Sequence, residues 1–242
     1  MTEVHASTIY GHATHSQEEN VLIVVAKRPT AGRTKTRLTP PLSPRQAADL
    51  YECFLKDTIE LVRGVENIQP AIAYLPAGAT PYFARWASDF ELLPQKGEDL
   101  GERLAHALTH YLEQGYRRAA VMNSDSPTIP EGHLIACFEA LTGETDVTIG
   151  PCTDGGYYLL GTRQPIPHLT QEVRMSTPHV TADTLALAAE EGLRVRLLPG
   201  WYDVDDARTL TRLTAELQNK PEVAHHTRRF LERHRLMTEE RI

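Results

Sequence analysis

The chain has 242 residues, 41% of them hydrophobic and 24% charged, which fits one α/β domain with a sizeable core. A formal net charge of −7 argues against a general nucleic-acid binder, which would carry a basic face. No run approaches the roughly 18 apolar residues of a membrane span.

Residues 1–19 are polar, carry His5, His12 and His15, and lack a signal peptide's apolar segment. They read as a flexible arm, and a cytoplasmic enzyme is the expectation. Cys53, Cys137 and Cys152 have no paired or C-x-x-C spacing and read as reduced packing residues.

Val21 to Ala26 (VLIVVA) is a continuous β-branched run, the pattern of a strand buried on both faces. It empties into KRPTAGRTKTRL, where Lys27, Arg28, Arg33, Lys35 and Arg37 crowd around Pro29 and Gly32. Two readings fit: a solvated basic loop, or a phosphate cradle in which backbone N–H groups and cations neutralise a polyphosphate. Its place directly after the first strand favours the cradle. It lacks the G-x-x-x-x-G-K spacing of a Walker A loop.

Ser43-Pro44 predicts a helix start, with Ala47, Leu50, Tyr51, Phe54, Leu61 and Val62 on one stripe up to Gly64. Gln69 to Leu75 reads as the second strand. A short helix around Tyr82–Trp86 and a short strand at Glu91–Leu93 follow. Asp99 and Glu102 have capping-box spacing before a helix that runs to Gly115. Gln95 and Gly97 precede that helix, and Leu100, Gly101 and Arg103 lie in its first turns. The Gln95 amide suits a nucleobase edge; the same residues also suit a plain cap and turn.

Arg118 to Met122 predicts a strand that ends on Asn123-Ser124-Asp125-Ser126-Pro127, and a helix starts at Pro130-Glu131. Asp146–Gly150 and Tyr157–Leu160 read as strands around the turn Asp154-Gly155-Gly156, whose glycines suit positive φ or close approach of a ligand. Thr177-Pro178 predicts another helix, Arg194–Leu198 a strand, and Asp206 the N-cap of a helix through Leu217. Asp203 and Asp205 share a face if their segment is extended. Residues 221–236 predict a last helix whose His225, His226 and His234 read as a solvated face. The alternation of strands and helices predicts one mostly parallel α/β sheet.

A cationic loop, Asp125 and the Asp203/Asp205 pair thus converge at strand ends, where open α/β sheets bind ligands. Mg²⁺ or Mn²⁺ takes oxygen ligands, commonly one or two carboxylates plus phosphate.

The succession VLIVVAKRPTAGRTKTRL, LPQKGEDLGERL, NSDSPTIP, GPCTDGGYYLLG and DVDDARTLTRL resembles the DUF2064 family over about residues 20–215. That family is also called the rSAM/selenodomain-associated or arsenosugar-biosynthesis-associated transferases, and it belongs with the nucleotide-diphospho-sugar transferases. The resemblance implies a single GT-A-like, Rossmannoid α/β domain over 20–218, a mixed, mostly parallel sheet flanked by helices, with a C-terminal helical extension over 219–242.

By the same resemblance, Lys27, Lys35 and Arg37 sit where related phospholactate-type guanylyltransferases bind phosphate. Asp125 matches the metal-binding acid of the D-x-D-type motif, and Asp203 and Asp205 match the segment giving a second metal ligand. Asp154-Gly155-Gly156 matches a turn on the acceptor side. Relatives often carry Gly at Asn123, Trp at Met175 and Thr at Asp206.

These readings give Lys35, Asp125 and Asp154 as catalytic candidates and Asp125, Asp203 and Asp205 as ligands of Mg²⁺ or Mn²⁺. Lys27, Arg28, Gly32, Arg33, Lys35, Arg37, Gln95, Gly97, Leu100, Gly101, Gly155 and Gly156 are the nucleotide-binding candidates. The expected partners are a nucleotide and a small-molecule acceptor, with no nucleic acid. Nucleotidyl transfer from a nucleoside triphosphate is the leading expectation because a triphosphate needs several cations. Glycosyl transfer from a nucleotide-sugar and a non-catalytic nucleotide-binding regulator are the alternatives.

Overall fold

Successive residues of β1 (Asn20–Lys27) bury themselves in opposite layers, Val21 and Ile23 on one face and Leu22 and Val24 on the other, all 0% exposed. That two-sided burial is what the unbroken apolar run requires. The computed structural model describes residues 19–237; His5, His12 and His15 lie outside them.

The remaining strands are β2 (Gln69–Leu75), β3 (Glu91–Pro94), β4 (Arg118–Met122), β5 (Val147–Pro151), β6 (Tyr157–Thr162) and β7 (Val195–Leu197). They form one sheet in the order β3-β2-β1-β4-β6-β5-β7. Only β6 runs against its neighbours β4 and β5; the other pairs are parallel. The sheet is therefore mixed and mostly parallel.

The helices are α1 (Pro44–Gly64), α2 (Thr80–Ala84), α3 (Leu100–Glu113), α4 (Glu131–Ala140), α5 (His168–Gln171), α6 (Val180–Glu190), α7 (Ala207–Asn219) and α8 (His225–Arg233). One core layer joins the sheet to α1, α4, α7 and α8 through Phe54, Leu134, Leu213 and Phe230. The other joins it to α3, α5 and α6 through Leu108, Leu169 and Ala188. Among the described residues, no helix is long and apolar enough to cross a membrane.

Local side-chain caps set the starts of α1, α3 and α7. Ser43 and Gln46 form a reciprocal capping box with Pro44 in the first turn of α1, and Asp206 with Thr209 does the same for α7. The expected box at α3 is half formed. Asp99 accepts from Glu102 N at 2.9 Å, but the Glu102 carboxylate accepts from Glu98 N instead. Helix α6 begins three residues beyond Thr177, whose hydroxyl accepts from His179 N and closes a turn ahead of it.

Helix α8 is shorter than 221–236, and His226 within it and His234 at its C-cap are both engaged. Asp57 of α1 accepts from His226 N and Thr227 N, both at 2.9 Å, so a carboxylate from another helix caps the positive end of α8. His226 Nε2 bonds Glu60 at 2.8 Å and His234 Nδ1 bonds Gln46 at 3.2 Å. These contacts correct the solvated-face reading for His226 and His234, because α8 docks on α1.

Parallel alignment puts the carboxyl ends of β1, β2, β4, β5 and β7 at one edge. The chain leaves β1 toward β2 on one side and returns to β4 on the other, so the topological switch lies between β1 and β4. The basic loop after β1, Asp125 after β4, the Asp154 turn after β5 and Asp203–Asp205 after β7 all meet there.

Candidate active site

After β1 the chain makes a turn in which Arg33 N and Thr34 N both donate to Thr30 O at 3.0 Å, with Gly32 at φ +74°. Thr34 and Lys35 are then buried, and Lys35 takes the left-handed backbone conformation (φ 51°), before the 3-10 turn Thr36–Leu38 anchors the loop through the fully buried Leu38. This folding sorts the five cations. Lys27, Arg28, Arg33 and Arg37 point outward, whereas Lys35 turns in with its side chain 5% exposed.

The Lys35 ammonium lies 2.7 Å from Asp125 Oδ1 and 2.7 Å from Asp205 Oδ1. Those two oxygens are therefore at most twice 2.7 Å apart, well inside the roughly 8 Å beyond which two carboxylates cannot share an ion. Arg37 Nη2 pairs with Asp205 Oδ2. Burial opposes charge on Lys35, but Asp125 and then Asp205 hold its ammonium above the ordinary lysine value. Burial likewise opposes charge on Asp205, but Lys35 and then Arg37 hold that carboxyl below the usual range. Among the described residues, Lys27, Arg28 and Arg33 make no ion pair and remain available to an anion.

Backbone contacts lock this arrangement. Val204 N donates to Asp125 O at 2.8 Å, and Val204 is fully buried, so Asp203 and Asp205 flank it at the same edge as Asp125. Ser124 donates to Val25 O at 3.0 Å and bonds the Tyr51 hydroxyl at 2.8 Å, which in turn accepts from Lys27 N at 3.3 Å. With Ser124 Oγ–H committed to Val25, Tyr51 is the donor to Ser124. This buried chain joins α1, β1 and β4 directly behind Asp125. Sequence reading placed Tyr51 on a core stripe and missed it; a polar tip on an apolar helix face is the signal that marks it.

Asp203 differs from its neighbour. Burial, then Asp205 and Asp154, push its carboxyl up to about 6. Its carboxylate, that of Asp154 and the Cys152 sulfur lie within 4.8 Å of one another. Asp154 accepts from Gly156 N at 2.9 Å.

A cavity of about 310 Å³ opens beside Asp125 between the ends of β1, β2 and β4. Lys27, Gln95, Leu100, Arg103, Asn123 and Tyr157 line it among others. The Gln95 NH₂ donates to Ala73 O at 2.8 Å and Ala26 O at 3.1 Å. Both its hydrogens are spent, which fixes the flip and leaves Oε1 as an acceptor. Arg103 ties down the preceding loop through Gly97 O (2.9 Å) and Glu98 O (2.7 Å).

Three of the glycines expected at the nucleotide, Gly97, Gly101 and Gly155, also have packing reasons to lack a side chain. A Cβ on Gly101 would lie 2.2 Å from Thr170 O, so its absence lets α3 close on α5. A Cβ on Gly155 would lie 1.9 Å from Pro178 O, and one on Gly97 would lie 2.6 Å from Glu102 Cβ. Gly32 faces open space, and Gly156 sits over the Asp154 carboxylate.

Residues 58–177 match the family described as "Uncharacterized protein conserved in bacteria (DUF2064)". No curated protein matches the chain. The structure is similar to that of a protein from Desulfovibrio desulfuricans provisionally described as a nucleotide-diphospho-sugar transferase, with a TM-score of 0.84 and 30% identity over 91% of this chain and 96% of that one. A cytidylyltransferase from Leptospira borgpetersenii serovar Hardjo-bovis is similar with a TM-score of 0.57 and 11% identity, over 93% of this chain and 98% of that one. CMP:2-keto-3-deoxy-manno-octonic acid synthetase in complex with CTP is similar with a TM-score of 0.53 and 12% identity, over 83% of this chain and 99% of that one. The last two share the fold. The chain belongs to the DUF2064 family, within the nucleotide-diphospho-sugar transferase superfamily.

Proposed function

We infer that the chain is a nucleotidyltransferase that joins a nucleoside triphosphate to a small phosphorylated acceptor. The observation that carries this reading is one loop that plants Lys35 between Asp125 and Asp205 and leaves Lys27, Arg28 and Arg33 exposed without an ion pair, Lys27 lining the same cavity as Asp125. A triphosphate needs that much positive charge beside a metal seat, and a diphosphate-sugar needs less.

In this reading the base enters the cavity, where Gln95 Oε1 accepts a hydrogen bond from a donor on its edge and Leu100 covers an apolar face. Lys27, Arg28, Arg33 and Arg37 neutralise the phosphates. An acceptor phosphate oxygen attacks the α-phosphorus, the bond between α-phosphorus and bridging oxygen breaks, and pyrophosphate leaves with its charge held by the loop. Asp154 serves the acceptor in this reading.

The donor set fits a hard divalent ion, as the ammonium held between Asp125 and Asp205 indicates. Mg²⁺ or Mn²⁺ on Asp125 and Asp205, with Asp203 adjacent, would supply Lewis-acid charge to the phosphate oxygens. Lys35 pairs with both carboxylates and holds them at a fixed separation.

The test is pyrophosphate release from each nucleoside triphosphate with Mg²⁺ and a panel of phosphorylated small acids. Acceptor-dependent pyrophosphate supports the reading. Release of a nucleoside diphosphate from sugar nucleotides would replace it with glycosyl transfer, the reading favoured by the description of the Desulfovibrio relative. Neither product with any acceptor would count against both.

A further inference from the structure

We propose that Cys152, Asp154 and Asp203 form a separate seat for a divalent cation of borderline hardness, of the zinc class. It borders the Asp125–Asp205 pair but shares no ligand with it, and it does not rest on the nucleotidyl-transfer reading.

Geometry comes first. The Cys152 Sγ and one carboxylate oxygen from each of Asp154 and Asp203 all lie within 4.8 Å of one another. A tetrahedral zinc with bonds of about 2.3 Å to sulfur and about 2.0–2.2 Å to oxygen spaces its donors about 3.5 Å apart. Asp154 is exposed and accepts one hydrogen bond, from Gly156 N at 2.9 Å, so a small shift of its side chain closes that difference.

The unmet needs of these groups come second. The Cys152 thiol belongs to a residue only 9% exposed, and among the described residues it makes no hydrogen bond. Asp154 and Asp203 make no ion pair among those residues, although Asp125 and Asp205 beside them hold Lys35 and Arg37; Lys35 favours charge on Asp203 but is outweighed by burial, Asp205 and Asp154. A second triad of possible ligands, Asp57, Glu60 and His226, shows the contrast. There the Asp57 oxygens accept from the start of α8 and His226 bonds Glu60, so nothing is left wanting. The Cys152 group lacks only positive charge.

The ligand class follows from the donors. Two carboxylates alone would suit Mg²⁺, but a thiolate selects a softer ion. Binding converts the Cys152 thiol to a metal thiolate and releases its proton to solvent, so uptake grows stronger as pH rises. Three protein ligands leave one tetrahedral position for a water or substrate oxygen.

Cobalt, a coloured stand-in for zinc, gives the test on the full chain. A near-ultraviolet thiolate-to-cobalt absorption reports cysteine ligands alone, so histidines elsewhere do not contribute. It is expected in the wild type and in Cys53→Ser, lost in Cys152→Ser, displaced by equimolar zinc and retained in excess Mg²⁺. Asp154→Asn should weaken cobalt binding at least tenfold. Absence of the band in the wild type, its survival in Cys152→Ser, or its displacement by Mg²⁺ would overturn the proposal. If Cys152→Ser fails to fold, the exposed Asp154→Asn decides: unchanged cobalt affinity there would sink the idea. Pyrophosphate release with Mg²⁺ is a separate readout, so failure of this site and failure of nucleotidyl transfer are distinguishable.

Discussion

Two acidic pairs stand side by side at the carboxyl edge of the sheet, and they are built differently. Asp125 and Asp205 are held around a buried ammonium, with Arg37 closing the outer side. Asp203 and Asp154 face a thiol and each other, and burial, then Asp205 and Asp154, push the Asp203 carboxyl up to about 6. Charge in the first pair is compensated within the chain; in the second it awaits a partner. The same residue type thus serves two ends, and the neighbour that α1 and the basic loop deliver decides which.

The largest effect should come from removing the paired acid nearest the cavity. Asp125→Ala is expected to lower turnover by about 10²–10³-fold, the scale of losing one preorganised electrostatic group, with the fold intact by circular dichroism. Retained turnover would remove Asp125 from the chemistry.

Lys35→Met strips the buried cation from the first pair, leaving only Arg37 on Asp205, and brings it closer to the second. Breaking a wholly buried pair costs about 3–5 kcal/mol. Because the Asp125 and Asp205 side chains are 33% and 26% exposed, about 2 kcal/mol is expected in urea unfolding. Added Mn²⁺ should restore part of that loss.

Asp203→Asn relieves the second pair, and its sign is opposite. With the folded carboxyl near 6 against the ordinary 3.8, the unfolded chain loses this proton first as pH rises. Stability from this group is therefore complete below about pH 4 and falls away between about pH 4 and 6. The Asn variant should match the wild type at pH 4 and exceed it at pH 7.5, by no more than about 2 kcal/mol given partial exposure. An equal difference at both pH values would show that Asp203 is not strained by its neighbours.

The smallest effect is expected behind Asp125. Tyr51→Phe removes the hydroxyl linking Lys27 N to Ser124 and should cost about 1 kcal/mol, with nucleotide affinity reduced less than in Lys35→Met.

Much of this could be read in the chain. The two-sided burial of Val21–Val24, the Pro44 and Asp206 helix starts and the convergence of a basic loop with Asp125 and Asp205 all follow from local pattern. The pairing of Lys35 with Asp205 did not, because it joins residues 170 positions apart; only the β1–β4–β7 edge brings them together. Composition could not sort Lys35 from the loop's other cations either, since its inward turn depends on a left-handed backbone that no proline or glycine announces. Gly101 and Gly155 show the opposite difficulty: a glycine beside a candidate site suggests room for a ligand, and the sequence does not reveal that Thr170 and Pro178 also require one there. Cys152 reads as packing in sequence because, although Asp154 follows it in the same turn, Asp203 arrives only from beyond β7.

The most direct test is the affinity of the wild-type chain for each nucleoside triphosphate, measured by calorimetry with and without Mg²⁺. Binding that strengthens with Mg²⁺ in the wild type but not in Asp125→Ala is the predicted result. Binding that is equal with and without Mg²⁺ would contradict a metal-assisted transferase and leave a nucleotide-binding module in its place.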